Sequence, residues 1–394
     1  MPVDALNVGL VGYQFMGKAH SNAWHNVSHF FDLPMQPVMH TLCGRTPEKL
    51  KAAARRFGWK NHVTNFKDLV SNPEIDLVDI STPNNAHHDI VLAAAAAGKA
   101  VACEKPLART FKEAREMHAA VKKAKVRNFV WFNYRRVPAI ALAHELVKQG
   151  RIGTVRHVRG LYLQDWIKDP TIPLVWRLSK EVAGSGAHGD LCAHVIDMFR
   201  FITGEEFTEV CGFFETFIKT RPVGQMLEGL TTNAEAIKGP QKMGQVDVDD
   251  AVLFLCRLSG GGIGTFEATR FATGHHNANR IEINGEKGAL RYDLSDFSFL
   301  EFFDDTLPKS EKGWRRISCT TGNHPYAGKY WPADHPIGYA ETFVSTAADI
   351  TEHMAGKTKE YHANFDDGLA CQAVLEAVAL SSQERRWVNL KEIA

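Results

Sequence analysis

No stretch of this sequence is long and apolar enough to span a bilayer, because charged or polar residues break every hydrophobic run. A basic leader is also missing. Asp4 and Asn7 interrupt the first apolar run, so no secretory signal is expected and the chain is read as cytoplasmic, with no membrane partner. Charge of one sign is lacking too. The formal net charge is +1, and the densest basic groups, "AARRFGWK" (53–60) and "VKKAKVR" (121–127), fall in helical patterns as solvated faces. That balance argues against a nucleic-acid partner. Cys-x-x-Cys pairs are absent among the seven cysteines, whose number is odd and most of which lie in apolar runs. Buried thiols in a reducing compartment are expected, with no cysteine zinc site and no metal.

What is present is a long, ordinary globular composition. At 394 residues the chain exceeds one core and suggests two domains. Over the first 135 residues strand and helix patterns alternate: "LNVGLVG" (6–12), "PVMHTLCGR" (37–45), "IDLVDIST" (75–82), "AVACEKP" (100–106) and "RNFVWFNY" (127–134) read as strands. The segment "TPEKLKAAARRFG" reads as a helix with Thr46 as N-cap, Pro47 at its first position and Gly58 beyond its end. This alternation predicts a parallel α/β sheet covered on both faces, a Rossmann dinucleotide-binding domain over 1–134.

From 135 to 394 the pattern changes to α+β with a large, mostly antiparallel open sheet, hairpin turns at "SGGG" (259–262) and "NGEKG" (284–288), and closing helices at 338–355 and 365–384. Whether those last helices pack back on the first domain is left open. The stretch 220–246 reads as an irregular excursion. An open sheet face needs cover, so a homodimer or homotetramer is expected.

The segment "GLVGYQFMGKAH" (9–20) carries Gly12 and Gly17 at the first and third glycine positions of a G-x-G-x-x-G fingerprint, with Gln14 at the middle one. A phosphate needs a tight backbone and free N–H groups at the helix start. Taken alone, the pattern suits a plain strand–turn–helix almost as well; the βαβ context favours a nucleotide turn built by Gly12, Gln14, Phe15 and Met16. At the end of the second strand Gly44 and Arg45 stand where an acidic ribose partner is expected. Arg45, with Lys49 one turn on, leans the reading from NAD toward NADP; an arginine stacked on adenine or simply solvated is nearly equal to it.

Two further places carry chemistry. Lys105 in "CEKPLA" ends a strand, where open α/β sheets place ligands, and Pro106 keeps it out of helical geometry and admits a cis bond. On its own it reads as well as an exposed lysine. Asp190 and His194 lie four apart on a helix flanked by an apolar stripe, a spacing that suits a proton relay. A surface ion pair or a zinc half-site would use the same spacing, and no third ligand is in view. His188 lies one turn away.

Taken in order, "GLVGYQFMGKAH", "STPNNAH" (81–87), "CEKPLA", "FNYRR" (132–136) and "GDLCAHVID" (189–197) resemble the Gfo/Idh/MocA family of sugar and polyol oxidoreductases. The resemblance runs nearly the whole chain. "LQDW" (163–166), "VWRLSKEVAGSGAHGD" (175–190) and "HPYAGKYWP" (324–332) are similar to the branch of levoglucosan and inositol dehydrogenases. It implies Lys105, Asp190 and His194 as catalytic residues. It implies Thr82, Pro83, Asn84, His87, Glu104, Trp176 and Arg177 at the cofactor, and Tyr134, Arg135, Gln164, Asp165, His188 and His324 at the substrate. Departures from the family pattern are Gln14, the pair Gly44-Arg45, and His188 where the branch often has an apolar residue.

The reaction so implied is oxidation of a secondary hydroxyl of a sugar, anhydrosugar, glycoside or inositol to a ketone, with hydride passing to NAD(P). His194 would be the general base, and Lys105 would stabilise the alkoxide. An NAD-dependent glycoside hydrolase would use the same residues through transient oxidation. A non-enzymatic cofactor sensor would have no use for them.

Overall fold

The computed structural model describes residues 4–223, 242–357 and 363–393. Of the expected irregular excursion, 224–241 lie outside the described residues. The chain divides into two compact units. Among the described residues, one holds 4–133, 338–357 and 363–369, the other 134–223, 242–337 and 370–393.

The first unit is a six-stranded parallel sheet in the order β3-β2-β1-β4-β5-β6. Its elements are β1 (Ala5–Val11), α1 (Phe15–Phe30), β2 (Gln36–Cys43), α2 (Pro47–Phe57), β3 (Asn61–Val63), α3 (Phe66–Ser71), β4 (Leu77–Ile80), α4 (His87–Ala96), β5 (Ala100–Cys103), α5 (Phe111–Ala124) and β6 (Asn128–Val130). Thr46 and Pro47 open α2, and Gly58 ends it at φ 88°, where a left-handed residue is needed. The expected last strand is shorter than its apolar run: it stops at Val130, and Asn133–Arg136 coil into a 3-10 turn. The strand order reverses direction between β1 and β4, the point where sheets of this kind open a ligand crevice at the strand ends.

The second unit continues with α6 (Pro138–Lys148), β7 (Val155–Leu163), the short α7 (Lys180–Ala183), α8 (Ala193–Thr203), β8 (Phe207–Glu215), β9 (Thr220–Pro222) and β10 (Met243–Gln245). Then follow β11 (Ala251–Leu258), β12 (Ile263–Thr269), β13 (Ala278–Gly285), β14 (Gly288–Asp293), β15 (Phe299–Asp304) and β16 (Trp314–Ser318). Helix α9 (Tyr339–Met354) belongs to the first unit, while α10 (Phe365–Glu384) is shared between the two and leads to β17 (Val388–Asn389). Nine strands form one sheet, β16-β15-β14-β13-β7-β12-β11-β8-β17, antiparallel except where β12 runs parallel to β7. One face buries Phe254 and Phe266, stacked at 5.2 Å, with Phe199 of α8 edge-on to Phe266. The alternation of β11 sends Leu253 and Leu255 to the other face, where Phe213, opposite Leu253, and Ile263 are also exposed. Helix α8 does not start where its pattern does: His188–Cys192 form a single π-helical turn before it.

Candidate active site

Three consecutive strands of the first unit, β1, β4 and β5, deliver Gly12, Thr82 and Lys105 just past their C-terminal ends. Gly12 has φ 109°, and a Cβ on it would stand 2.6 Å from the Ser81 hydroxyl. The turn there accepts only glycine. Buried Gly17 packs against the Gly12 carbonyl. Gln14 occupies the N-cap of α1 at φ −79°, a conformation open to any residue, and its exposed side chain makes no capping bond. No acidic residue stands in the first turn of α1. Phe15 is exposed and Met16 half-buried beside it. Among the described residues the buried Thr82 hydroxyl has no hydrogen-bond partner. A glycine cradle, an uncapped helix start and an orphaned hydroxyl suit the pyrophosphate and adjoining ribose of a dinucleotide. These residues fit the cofactor.

Gly44 follows β2 with the Tyr13 ring lying directly against it, and Arg45 beyond it is exposed. Pro83 and Asn84 lead from β4 into a 3-10 turn. His87 is fully buried; its Nδ1 lies 3.2 Å from the Leu107 carbonyl and its Nε2 3.0 Å from that of Thr82. Burial lowers its pKa, and the two neutral carbonyls do not offset this. The ring clamps the Thr82 loop to the Lys105 loop instead of facing outward. The Lys105–Pro106 peptide is cis, and the Lys105 side chain is half-buried. Glu104 turns inward: its Oε2 accepts the Lys105 backbone N–H at 3.0 Å, and its Oε1 lies 2.9 Å from His20 Nε2.

In the second unit Asp190 sits within the π-turn and His194 at the start of α8. Such widened turns recur at functional sites because they re-aim side chains. Asp190 accepts a 2.7 Å bond from Nη2 of Arg270, a residue that follows β12 and is 1 % exposed. The His194 ring packs 4.8 Å from Tyr134 and 5.8 Å from Tyr162, whose hydroxyls are 2.9 Å apart. Burial pushes the Tyr134 phenol up to about 12; bonds to Tyr162 and Asn277 oppose this, and the Asp190 charge adds to it. Tyr134 therefore stays protonated. Gln164 donates to Asn277 at 2.8 Å. Arg177 stacks its guanidinium 4.3 Å over the Trp176 ring, and Arg270 Nη1 reaches the Arg177 carbonyl.

Four expected substrate residues have hydrogen-bond partners of their own. Arg135 donates from Nε at 2.9 Å and from Nη2 at 2.5 Å to Asp197, a buried bidentate pair. Asp165 holds a loop, accepting from Gly274 N–H, Lys168 and His276. Burial raises its pKa, yet these three bonds outweigh burial and bring it to about 2. His188 is buried against Phe214, its Nε2 2.9 Å from the Leu375 carbonyl, and burial lowers its pKa. His324 pairs with the Thr321 hydroxyl at 2.7 Å. The sequence reading passed over Arg270, Tyr162, His20 and Asp79. The one visible signal was Asp79, an ionisable residue inside the apolar run of β4. Among the described residues, no three histidine, cysteine or carboxylate side chains are set to hold a metal ion.

Residues 6–132 match an oxidoreductase family with an NAD-binding Rossmann fold, and residues 140–291 match a GFO/IDH/MocA C-terminal domain. The chain is 40% identical over 396 residues to levoglucosan dehydrogenase of Pseudarthrobacter phenanthrenivorans, covering 99% of each. A levoglucosan dehydrogenase structure with NADH and levoglucosan superposes with a TM-score of 0.90 at 39% identity, over 98% of this chain and 100% of that one. An oxidoreductase domain protein of Kribbella flavida gives 0.91 at 48% identity, over 98% and 99%.

Proposed function

The chain belongs to the Gfo/Idh/MocA family of oxidoreductases, and on that footing we propose that it is an NAD(P)-dependent dehydrogenase of an anhydrosugar, sugar or cyclic polyol. The observation that carries this reading is the alignment of Gly12, Thr82 and Lys105 at the ends of three neighbouring strands. It puts a nucleotide turn and an amine donor on the same rim of the sheet. Levoglucosan, the ligand of the relative, is the first substrate to try. The hydrolytic alternative is not favoured by these dehydrogenase relatives.

When bound, the nicotinamide supplies the hydride acceptor. Lys105 donates a hydrogen bond to the substrate oxygen that becomes an alkoxide. His194 takes the hydroxyl proton on its imidazole, and the flanking Tyr134 and Tyr162 hold the ring in place. Asp190, oriented by Arg270, accepts a bond from a neighbouring hydroxyl. Gln164 and Arg177 are assigned to further substrate hydroxyls. Arg135, Asp165 and His188 serve by holding the backbone that carries these groups.

Exposed Arg45 beyond Gly44 favours NADP over NAD. Seven free cysteines suit a reducing, cytoplasmic setting. The apolar face carrying Phe213, Leu253, Leu255 and Ile263 is assigned to self-association, read out by sedimentation of wild type against Leu253→Lys. The decisive test is a panel of anhydrosugars, sugars and inositols followed at the nicotinamide absorbance with each cofactor. Absence of any sugar-dependent reduction would overturn the reading.

A further inference from the structure

We propose that His20 is the positioning residue for Lys105: by bridging Asp79 to Glu104 it fixes the carboxylate on which the Lys105 backbone hangs, and so sets where the E-K-P turn presents its amine. This rests on the catalytic reading of Lys105.

His20 lies on α1, one turn beyond Gly17, and is fully buried. Its Nδ1 is 3.0 and 3.1 Å from the two Asp79 oxygens, and its Nε2 is 2.9 Å from Glu104 Oε1. A neutral imidazole has a single N–H, so one of these contacts would set lone pair against lone pair. The imidazolium donates to both. Burial alone would lower the pKa of the ring, but the Asp79 charge and the bonds to Asp79 and Glu104 outweigh burial and raise it to about 9.

The Asp79 end cannot move. Trp24 Nε1 and Trp131 Nε1 each donate to it at 2.8 Å, and the Trp131 ring lies 4.0 Å from the His20 ring. Asp79 itself is fully buried in the middle of β4. What remains adjustable is Glu104, and His20 removes that freedom. Its other oxygen holds the Lys105 N–H at 3.0 Å. The chain from the sheet centre to the lysine backbone is therefore continuous and made of charge-assisted bonds. A buried ionic cluster is a poor source of stability compared with apolar side chains of similar volume. Precise placement of a reacting group is what such a cluster supplies.

The test uses the full chain and three substitutions: His20→Asn, whose amide reaches only toward Asp79; His20→Gln, whose amide reaches the Nε2 position toward Glu104; and Glu104→Gln. The first readout, independent of turnover, is the resonance of isotope-labelled dimethyl-Lys105, identified by its loss in Lys105→Arg. The second is kcat against KM, and the third the melting temperature. His20→Asn is expected to move the Lys105 resonance and to lower kcat about ten-fold or more with KM little changed, and His20→Gln to restore most of both. A loss of melting temperature shared equally by the two variants, with the Lys105 resonance unmoved, overturns the proposal. Should neither His20 variant fold, Glu104→Gln must displace the resonance; an unmoved one overturns it equally. If Lys105→Ala instead keeps full activity, the catalytic reading fails, while the resonance still decides whether His20 positions the lysine.

Discussion

Arg270 donates from Nη2 to Oδ2 of Asp190 across 2.7 Å, its guanidinium buried and the carboxylate partly open. The pair fixes the orientation of the group assigned to a substrate hydroxyl. Arg270→Lys keeps the charge and loses the planar fork. It should raise KM for the sugar about ten-fold, a loss near 1.4 kcal/mol. Arg270→Met removes one partner of a mostly buried pair and should lower unfolding free energy by about 3 kcal/mol. Steady-state kinetics and denaturant melts check both; an unchanged KM in Arg270→Lys would detach Asp190 from substrate binding.

Lys105→Ala and His194→Ala should each lower kcat by about a hundred-fold or more while NADH binding, followed by fluorescence, stays within about three-fold. Full activity in either variant removes that residue from the chemistry.

At the nucleotide turn, Arg45→Ala should weaken NADP binding by about ten-fold and leave NAD binding alone. Equal losses for both cofactors would make Arg45 an adenine contact. Gln14→Gly tests the exposed N-cap side chain: tighter binding marks it as an obstruction, weaker binding as a donor.

The raised pKa of His20 gives a pH signature. Its ordinary value is 6.5 and its folded value about 9, so the charged ring contributes fully to stability below about pH 6.5. The contribution fades above that and is lost as the pH rises through about 9. Asp79 and Glu104 are the charged groups facing it. The difference in unfolding free energy between wild type and His20→Gln should therefore shrink from about pH 6 to pH 10, by on the order of a few kcal/mol. A difference that stays constant over that range would mean the folded ring is neutral.

Much of this architecture was legible before any coordinates. Strand–helix alternation marked the parallel sheet, and the cap signals at Thr46, Pro47 and Gly58 marked α2 to the residue. Short elements escaped: β3 is only Asn61–Val63, too short for a period to be read. The π-turn at His188–Cys192 escaped because the apolar stripe of α8 continues through it. Motifs pointed to Lys105, Asp190 and His194, but a sequence carries no sign of direction. Arg135, Asp165 and His188 have the residue types of a sugar site, yet long-range partners such as Asp197 and Gly274 hold the first two, and the Leu375 carbonyl takes one ring nitrogen of His188. Arg270 lies 80 residues from Asp190, so no local pattern joins them.

The Tyr13 ring resting on Gly44 closes one route of change. Any side chain at position 44 would collide with the tyrosine. An aspartate or glutamate placed there by one substitution requires the Tyr13 ring to swing aside. A mutant library that moves one residue at a time has to displace a tyrosine ring at 44, while Arg45 beside it is exposed. Variation at 44 is thus coupled to residue 13, whereas position 45 is exposed and carries no such coupling to the ring.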